Sequence, residues 1–523
     1  MFKLTESELD AAFAAINHHG YSTMMPEPQE WAVVTFNWIS IRSSLAQLDL
    51  DTYDPFEPMQ VFSPKSRSSV RVLHLLHPQD LIIYTALVLI VKDDIECSRV
   101  PQKLKRVFSF RVDTKQTNTL YDSRGSYEAY RCRLEAKAVR SQVKFVAIAD
   151  IADFYPRIYQ HRLQNIVGTV AKSQRVREVA RVLVRKLINN LMGRNSYGIP
   201  VGPYASRVLA EAILIDVDAS LLNQRSDFVR WVDDYNIFCK SEYEAQSILF
   251  SLGEWLFVNH GLTLQSSKTR ILTIGEYRDR VLTTHDAQLT SRDAVIRQLR
   301  DFQVDYEESD DDEGPDESMV QEALEMLQGH DLKGLLEASL SDTTLVDYEA
   351  VTYALNKLPR IPGAPSPLKR EVLDLVIDNV MLLYPVAEHV AKYVLSFDSL
   401  TPKEQKSIAK KLLKSLNSMR NPVPPYCAMW MLSVFAHDQI WNHASDIASL
   451  YTKAKSEVIK CYAALAIHAS GTRSEALAIK DDYASASPLL KLAILFASRR
   501  LGRDERHHWK LANGVSGIIE RLI

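Results

Sequence analysis

A chain of 523 residues is too long for one average domain and predicts roughly two to four. Its hydrophobic share of 46% and charged share of 24% are those of an ordinary globular protein, so a sizeable core is expected and a disordered chain is excluded. The formal net charge is −3, but residues 301–317 (DFQVDYEESDDDEGPDE) hold ten Asp or Glu and no Lys or Arg; without them the charge is +7, mildly basic, which permits nucleic-acid contact without requiring it.

The chain opens on MFKLTESELDAAFAAI, with acids and polar residues through its first turns and no long apolar run. The longest apolar stretch, LIIYTALVLIV at 81–91, is too short to span a bilayer. Five cysteines (Cys97, Cys132, Cys239, Cys427, Cys461) are widely spaced without a C-x-x-C pair, which suggests neither a disulfide framework nor a zinc site. The expectation is a cytoplasmic protein that makes no membrane contact.

From about residue 30 to 285 short apolar runs alternate with longer helical patterns, the look of an α+β unit. VKFVAIADI (143–151), DFVRWVDDYNIFC (227–239) and LTLQSSKTRILTI (262–274) are its clearest strand candidates. The acidic run 301–317 has almost nothing to bury and reads as a solvated linker or loop. Past residue 318 amphipathic helical stretches follow one another to the end. PPYCAMWMLSVFAH (424–437), SEVIKCYAALAIHA (456–469) and SPLLKLAILFAS (487–498) start about thirty residues apart, as helix-pair repeats resembling HEAT units do. An irregular helical bundle is the plain alternative. The resulting division is 1–285, a linker 286–320, and a helical domain 321–523.

The chemistry is carried by carboxylates. Phosphoryl transfer by two divalent ions needs acids from separate elements converging on one point. In AIADIADFYPRI, Asp150 closes an apolar run; in RWVDDYNIF, Asp233 and Asp234 interrupt a run of apolar and aromatic residues. A paired charge in such a setting is costly unless compensated, and metal ions supply compensation. A surface turn is the alternative for any lone Asp-Asp pair.

The ordered set D-I-x-D-F-Y (150–155), G-I-P-V-G-P-Y-A-S (198–206), W-V-D-D-Y (231–235) and L-T-L-Q-S-S-K-T (262–269) resembles the palm motifs of reverse transcriptases in order and spacing. Upstream, 63–87 is similar to the fingers of bacterial members. The resemblance implies Asp150, Asp233 and Asp234 as catalytic metal ligands, with the main-chain carbonyl of Ile151, for Mg2+ or Mn2+. It implies Lys65 and Arg71 at the triphosphate and Tyr155 as an aromatic gate against a ribose 2′-hydroxyl, hence dNTPs as substrates. Gly198 and Gly202 would let the backbone approach the nucleotide, Pro200 would stiffen that loop, and Lys268 would lie near the leaving pyrophosphate. A solvated basic residue is the alternative for Lys65, Arg71 and Lys268, and a core tyrosine for Tyr155.

Two departures stand out: Val201 occupies the place where most templated members carry Gln, and Trp231 the place of a Tyr. With F-S-F-R at 108–111 and about 240 residues of helix after the last palm motif, the chain resembles the abortive-infection reverse transcriptases, AbiK-like, and within them the branch carried by P-two-like prophages. That resemblance implies reverse-transcriptase fingers and palm followed by an all-α HEAT-like repeat domain in place of a thumb. It also implies untemplated DNA synthesis primed from a protein tyrosine, a single-stranded DNA product covalently attached, a homo-oligomer, and anti-phage defence. Tyr21 and Tyr53, early in the chain, are guesses for the primer. The alternatives are a templated RNA-directed DNA polymerase and a non-catalytic helical scaffold binding a phage or host protein. Arg503 and His508 have the loose R-x4-H spacing of HEPN ribonucleases, for which a solvated helix face is the bland reading.

Overall fold

The computed structural model describes residues 1–22, 24–66, 69–122, 126–282, 332–341, 346–360, 366–397, 400–417, 423–438, 441 and 443–523. The acidic run 301–317 and the expected linker 286–320 lie outside the described residues. The chain divides into two compact units, the first made of Met1–Gln60, Val72–Leu282 and Ser516–Ile523, the second of Val61–Arg71 and Thr283–Val515.

At the centre of the first unit is a four-stranded antiparallel sheet of β3 (Phe145–Asp150), β4 (Phe228–Trp231), β5 (Asp234–Cys239) and β6 (Arg270–Thr273), in the order β4-β5-β3-β6. Alternation sorts its side chains. Val146, Val229, Phe238 and Leu272 turn to one face and pack with Tyr130, Leu134 and Ala138 of the helix Ser126–Ala138. The helix Glu242–His260 packs against β3 and β5, with Ser241 accepting from the Glu244 N–H at its start and Gly261 left-handed at its end. A hairpin of β1 (Met59–Ser66) and β2 (Ser69–Leu75) precedes the helix Pro78–Ser98, where 15 residues are buried. That helix holds the apolar run 81–91, and among the described residues no helix is long and apolar enough to cross a membrane.

The strand expectations meet the structure unevenly. The run 143–151 yields β3, but 227–239 is two strands joined by the tight turn Val232–Asp233, and of 262–274 only Arg270–Thr273 is a strand.

The described part of the second unit is helical beyond the hairpin residues Val61–Arg71, and nine of its helices form two rows. Tyr348–Lys357, Ala387–Leu395, Pro425–His437, Glu457–Ser470 and Pro488–Ala497 pack each on the next; Ser366–Asp378, Pro402–Leu416, Ala444–Lys453 and Arg473–Lys480 do the same. Alternate helices thus share a layer. The three thirty-residue-spaced strings fall on consecutive helices of one row, where buried Ala428, Ala463, Ala464, Ala466 and Ala493 let neighbouring backbones come close.

Candidate active site

Register brings two acids together. β3 and β5 run antiparallel with Asp150 directly opposite Asp234, and the β4–β5 turn carries Asp233 beside them. Asp150 is buried, while Asp233 and Asp234 are half-buried at the sheet's end. Lys268, from the turn before β6, places Nζ 2.5 Å from Asp150 Oδ2. Burial, the charges of Asp233 and Asp150, and a hydrogen bond with Asp150 push the Asp234 carboxyl up to about 7. Burial works against the Lys268 charge, but the bond to Asp150 and the three acids together raise its ammonium above the ordinary value. Negative charge is crowded here, and one lysine offsets part of it.

The turn that carries Asp233 is strained. Val232 has φ +54, a region that a β-branched side chain rarely adopts and that costs roughly 1–3 kcal/mol unless the surroundings impose it. They do so from both sides. The Val232 N–H donates to Ser109 Oγ at 2.9 Å, and the Val232 carbonyl accepts from Arg230 Nη1 at 2.6 Å. Fully buried Arg230 is locked in turn by Asp218 (2.8 and 2.6 Å) and Glu211 (2.9 Å). Glu211 also accepts from Ser109 Oγ and from Arg99 Nη2, each at 2.5 Å. Burial alone would raise the Glu211 carboxyl, yet Arg230, Arg99 and Ser109 hold it below its usual range; Asp218 and Glu211 in turn keep Arg230 charged despite burial. Nearby, Arg111 donates to Glu96 at 3.0 Å and to two carbonyls. The F-S-F-R string is therefore part of the support of the turn that carries Asp233.

Trp231 packs into an aromatic cluster with Phe110, Tyr127 and Tyr130. Tyr155 is half-buried next to Phe154, and burial raises its hydroxyl pKa, with Arg207 and Asp233 close enough to influence it. The Tyr155 carbonyl accepts from the Ile199 N–H at 3.2 Å, so the gate candidate and the glycine loop are tied to one another. Gly198 has φ +88, and a Cβ there would lie 3.2 Å from the Pro156 carbonyl oxygen and 3.0 Å from Met192 Cε. Gly202 has φ +127. Pro200 is buried between them. Val201 is anchored through its main chain, donating to Nδ1 of His74 at 3.2 Å and accepting from the His74 N–H at 2.7 Å; burial lowers the His74 ring to about 4, so it stays neutral and accepts. Ile151 is buried beside Leu264.

Lys65 on β1 and Arg71 on β2 are exposed and belong to the second unit. Tyr21 is buried with its hydroxyl donated to the Leu76 carbonyl, and half-buried Tyr53 donates to Asp80 at 2.5 Å. Both hydroxyls are engaged in hydrogen bonds. Arg503 and His508 are exposed on the helix Arg503–Ala512, where the His508 ring is bonded to the Asp504 carbonyl, a solvated face.

Sequence reasoning missed Ser109, Glu211, Asp218 and Arg230. The three charged ones left a signal, since each interrupts an apolar run, as in F-V-R-W, V-L-A-E-A-I-L and I-D-V-D-A; Ser109 left none.

Among the described residues no group of three His, Cys, Asp or Glu side chains is already arranged as a metal site. The donor chemistry nevertheless suits a hard divalent cation, since Asp150, Asp233 and Asp234 offer only oxygens and mutual repulsion raises Asp234.

Residues 64–308 match the reverse transcriptase (RNA-dependent DNA polymerase) family, so this stretch carries a reverse-transcriptase domain. No curated protein matches the chain. Among solved structures, the chain is similar to telomerase from Candida albicans in complex with a fragment of telomeric RNA, at 13% identity and a TM-score of 0.30, covering 75% of this chain and 70% of that one. It is also similar to apo telomerase from Candida tropicalis, at 11% identity and a TM-score of 0.32, covering 76% and 74%.

Proposed function

We propose that the protein is a DNA polymerase of the reverse-transcriptase type that adds deoxynucleotides, without a template, to a strand primed from one of its own tyrosines, as an AbiK-like effector of anti-phage abortive infection. The observation that carries the polymerase reading is the register pairing of Asp150 with Asp234, with Asp233 on the adjoining turn, inside the reverse-transcriptase domain. Bound Mg2+ or Mn2+ ions would activate the attacking hydroxyl and offset charge on the leaving pyrophosphate.

The chain's own residues do the rest. Asp150, Asp233, Asp234 and the Ile151 carbonyl hold the ions, and Lys268 steadies the acids and reaches the pyrophosphate. Tyr155 walls off a ribose hydroxyl, while Gly198 and Gly202, with Pro200 between, let the main chain approach the nucleotide. Lys65 and Arg71 take the triphosphate. Val201 supports the untemplated reading, because an aliphatic side chain at that place offers no hydrogen bond to a template base. The helical residues 321–523 act as HEAT-like repeats in place of a thumb, and 1–285 as fingers and palm joined by the linker 286–320; the working form is a homo-oligomer in the cytoplasm.

Purified protein incubated with dNTPs and Mg2+, with no primer or template, should yield labelled DNA whose mobility changes on protease treatment, and Asp233→Asn should abolish it. Product only when RNA template is added would replace the untemplated reading with the templated one. Resistance to phage that persists in Asp150→Asn would instead support a scaffold.

A further inference from the structure

Gln160 is a buried side chain that braces an exposed feature. Its amide donates to the Gly198 carbonyl at 3.0 Å and accepts from Asn189 Nδ2 at 3.1 Å, and Asn189 Nδ2 also donates to the Asn195 carbonyl at 3.0 Å. The main chain adds the Gln160 N–H to the Ser196 carbonyl and the Gly198 N–H to the Ile158 carbonyl, both at 2.9 Å. Asn189 follows directly on a π-helical stretch, Val182–Ile188, an insertion frequent at functional sites. What these bonds fix in place is a pair of aromatic rings on the surface. Tyr159 and Tyr197 lie opposite each other, 37% and 55% exposed, with ring centroids 5.1 Å apart and 32° between planes, and His161 is 5.4 Å from Tyr159.

Burial does not explain rings held this way in solvent, and a rigid amphipathic surface is what an incoming flat group needs. Each tyrosine is flanked by an exposed cation, Arg157 two residues before Tyr159 and Arg194 three before Tyr197; Arg157 shares its charge with Asp153 at 3.6 Å. Exposed arginines a few residues along the chain from exposed aromatic rings suit a ligand that carries both phosphates and bases. Tyr197 leads directly into Gly198, and Tyr159 lies four residues beyond Tyr155.

We propose that Tyr159 and Tyr197, with Arg157 and Arg194, form a stacking platform for unpaired bases of a single-stranded nucleic acid. The proposal rests on the polymerase reading for the origin of the strand, as product or as template, but its test requires no synthesis.

The full chain, in EDTA and without dNTPs, is titrated against fluorescently labelled 15-mers of oligo-dT and oligo-U. The double variant Tyr159→Ala/Tyr197→Ala should bind at least one of them roughly ten-fold or more weaker, while Tyr159→Phe/Tyr197→Phe, which keeps the rings, binds like wild type. Arg157→Gln/Arg194→Gln should flatten the dependence of affinity on salt. A larger loss on oligo-dT identifies the product strand, a larger loss on oligo-U a template, and an equal loss the shared chemistry of both. Wild type that binds neither oligonucleotide, an alanine pair that binds as tightly as wild type, or a change in particle mass by light scattering with binding unaltered would overturn the platform. Asp233→Asn separates the two ideas: it should stop synthesis and leave binding intact. Wild type that makes no DNA while the alanine pair still loses binding would remove the polymerase reading and leave the platform standing.

Discussion

Asp234→Asn should make the metal-free protein locally more stable at neutral pH, although it should disable the site. The Asp234 carboxyl titrates near 7 in the fold against an ordinary 3.8, so the folded state holds a proton that the unfolded chain has already released. A raised carboxylate of this kind costs nothing below about pH 4, where both states are protonated. The cost grows as pH rises and is complete above 7. Taken at face value, about three pH units at about 1.4 kcal/mol each give roughly 4 kcal/mol. The side chain is only half-buried, and water screening reduces this to about 1–2 kcal/mol. Because the chain has two units, the effect is best read locally, by hydrogen exchange of the peptide 228–239 in EDTA. At pH 8 the Asn variant should exchange roughly five- to thirty-fold more slowly than wild type after correction for intrinsic rates, and at pH 4.5 the two should nearly coincide. Added Mn2+ should reverse the order at pH 8, because ions that bind only the folded acids stabilise wild type more than the variant. A gap of equal size at both pH values, or a variant less protected at pH 8 in EDTA, would refute the account of crowded acids.

Three other perturbations test the supports of the site. Ser109→Ala removes the acceptor of the Val232 N–H and a donor to Glu211, a loss of roughly 2–4 kcal/mol; DNA synthesis should then need more Mg2+ for half-maximal rate, Ser109→Thr should restore it, and an unchanged Mg2+ titration would show that the turn holds itself. Gly198→Ala forces a Cβ toward the Pro156 carbonyl at positive φ, at a cost of roughly 1–3 kcal/mol, which should appear as a lower melting temperature together with a higher KM for dNTPs; a variant indistinguishable from wild type in both would mean the loop has room to shift. Tyr155→Val should raise ribonucleotide over deoxynucleotide incorporation by roughly ten-fold or more, measured by competition on one enzyme preparation, and an unchanged ratio would remove Tyr155 from the gate.

The positions of the acids were legible because burial and charge conflict there in plain view. An apolar run closed by Asp150, and two aspartates between aromatic residues, have few physical explanations, and the antiparallel register of β3 with β5 is the one that lets the carboxylates meet. What was illegible is the turn between β4 and β5. Val232 and Asp233 lack the Gly or Asn that normally announces a two-residue hairpin, so 227–239 reads as one strand. The conformation is imposed from outside, by Ser109 more than a hundred residues earlier in the chain and by Arg230, whose own charge is tolerated only because Glu211 and Asp218 surround it. No local pattern encodes a contact of that range.

F-S-F-R stands outside the palm motifs, and as a string it gives no chemistry. In the fold its serine holds the N–H of the residue before Asp233, and its arginine ties Glu96, which also receives Arg99, the partner of Glu211. A glycine at position 232 would adopt the turn unaided; a valine there makes the geometry of Asp233 conditional on a fully buried ionic cluster. Loss of any one member of that cluster leaves another charge buried without its partner, so the support is expected to fail as a unit rather than by degrees. Val201 contrasts with this. Its aliphatic side chain takes no polar role, and among the described residues its main chain is anchored to His74 through both N–H and carbonyl, so the loop keeps its shape without a hydrogen bond from that side chain. The fold thus supports the turn of Asp233 through side chains of a buried ionic cluster, and holds the loop at position 201 through main-chain bonds that would tolerate a different side chain there.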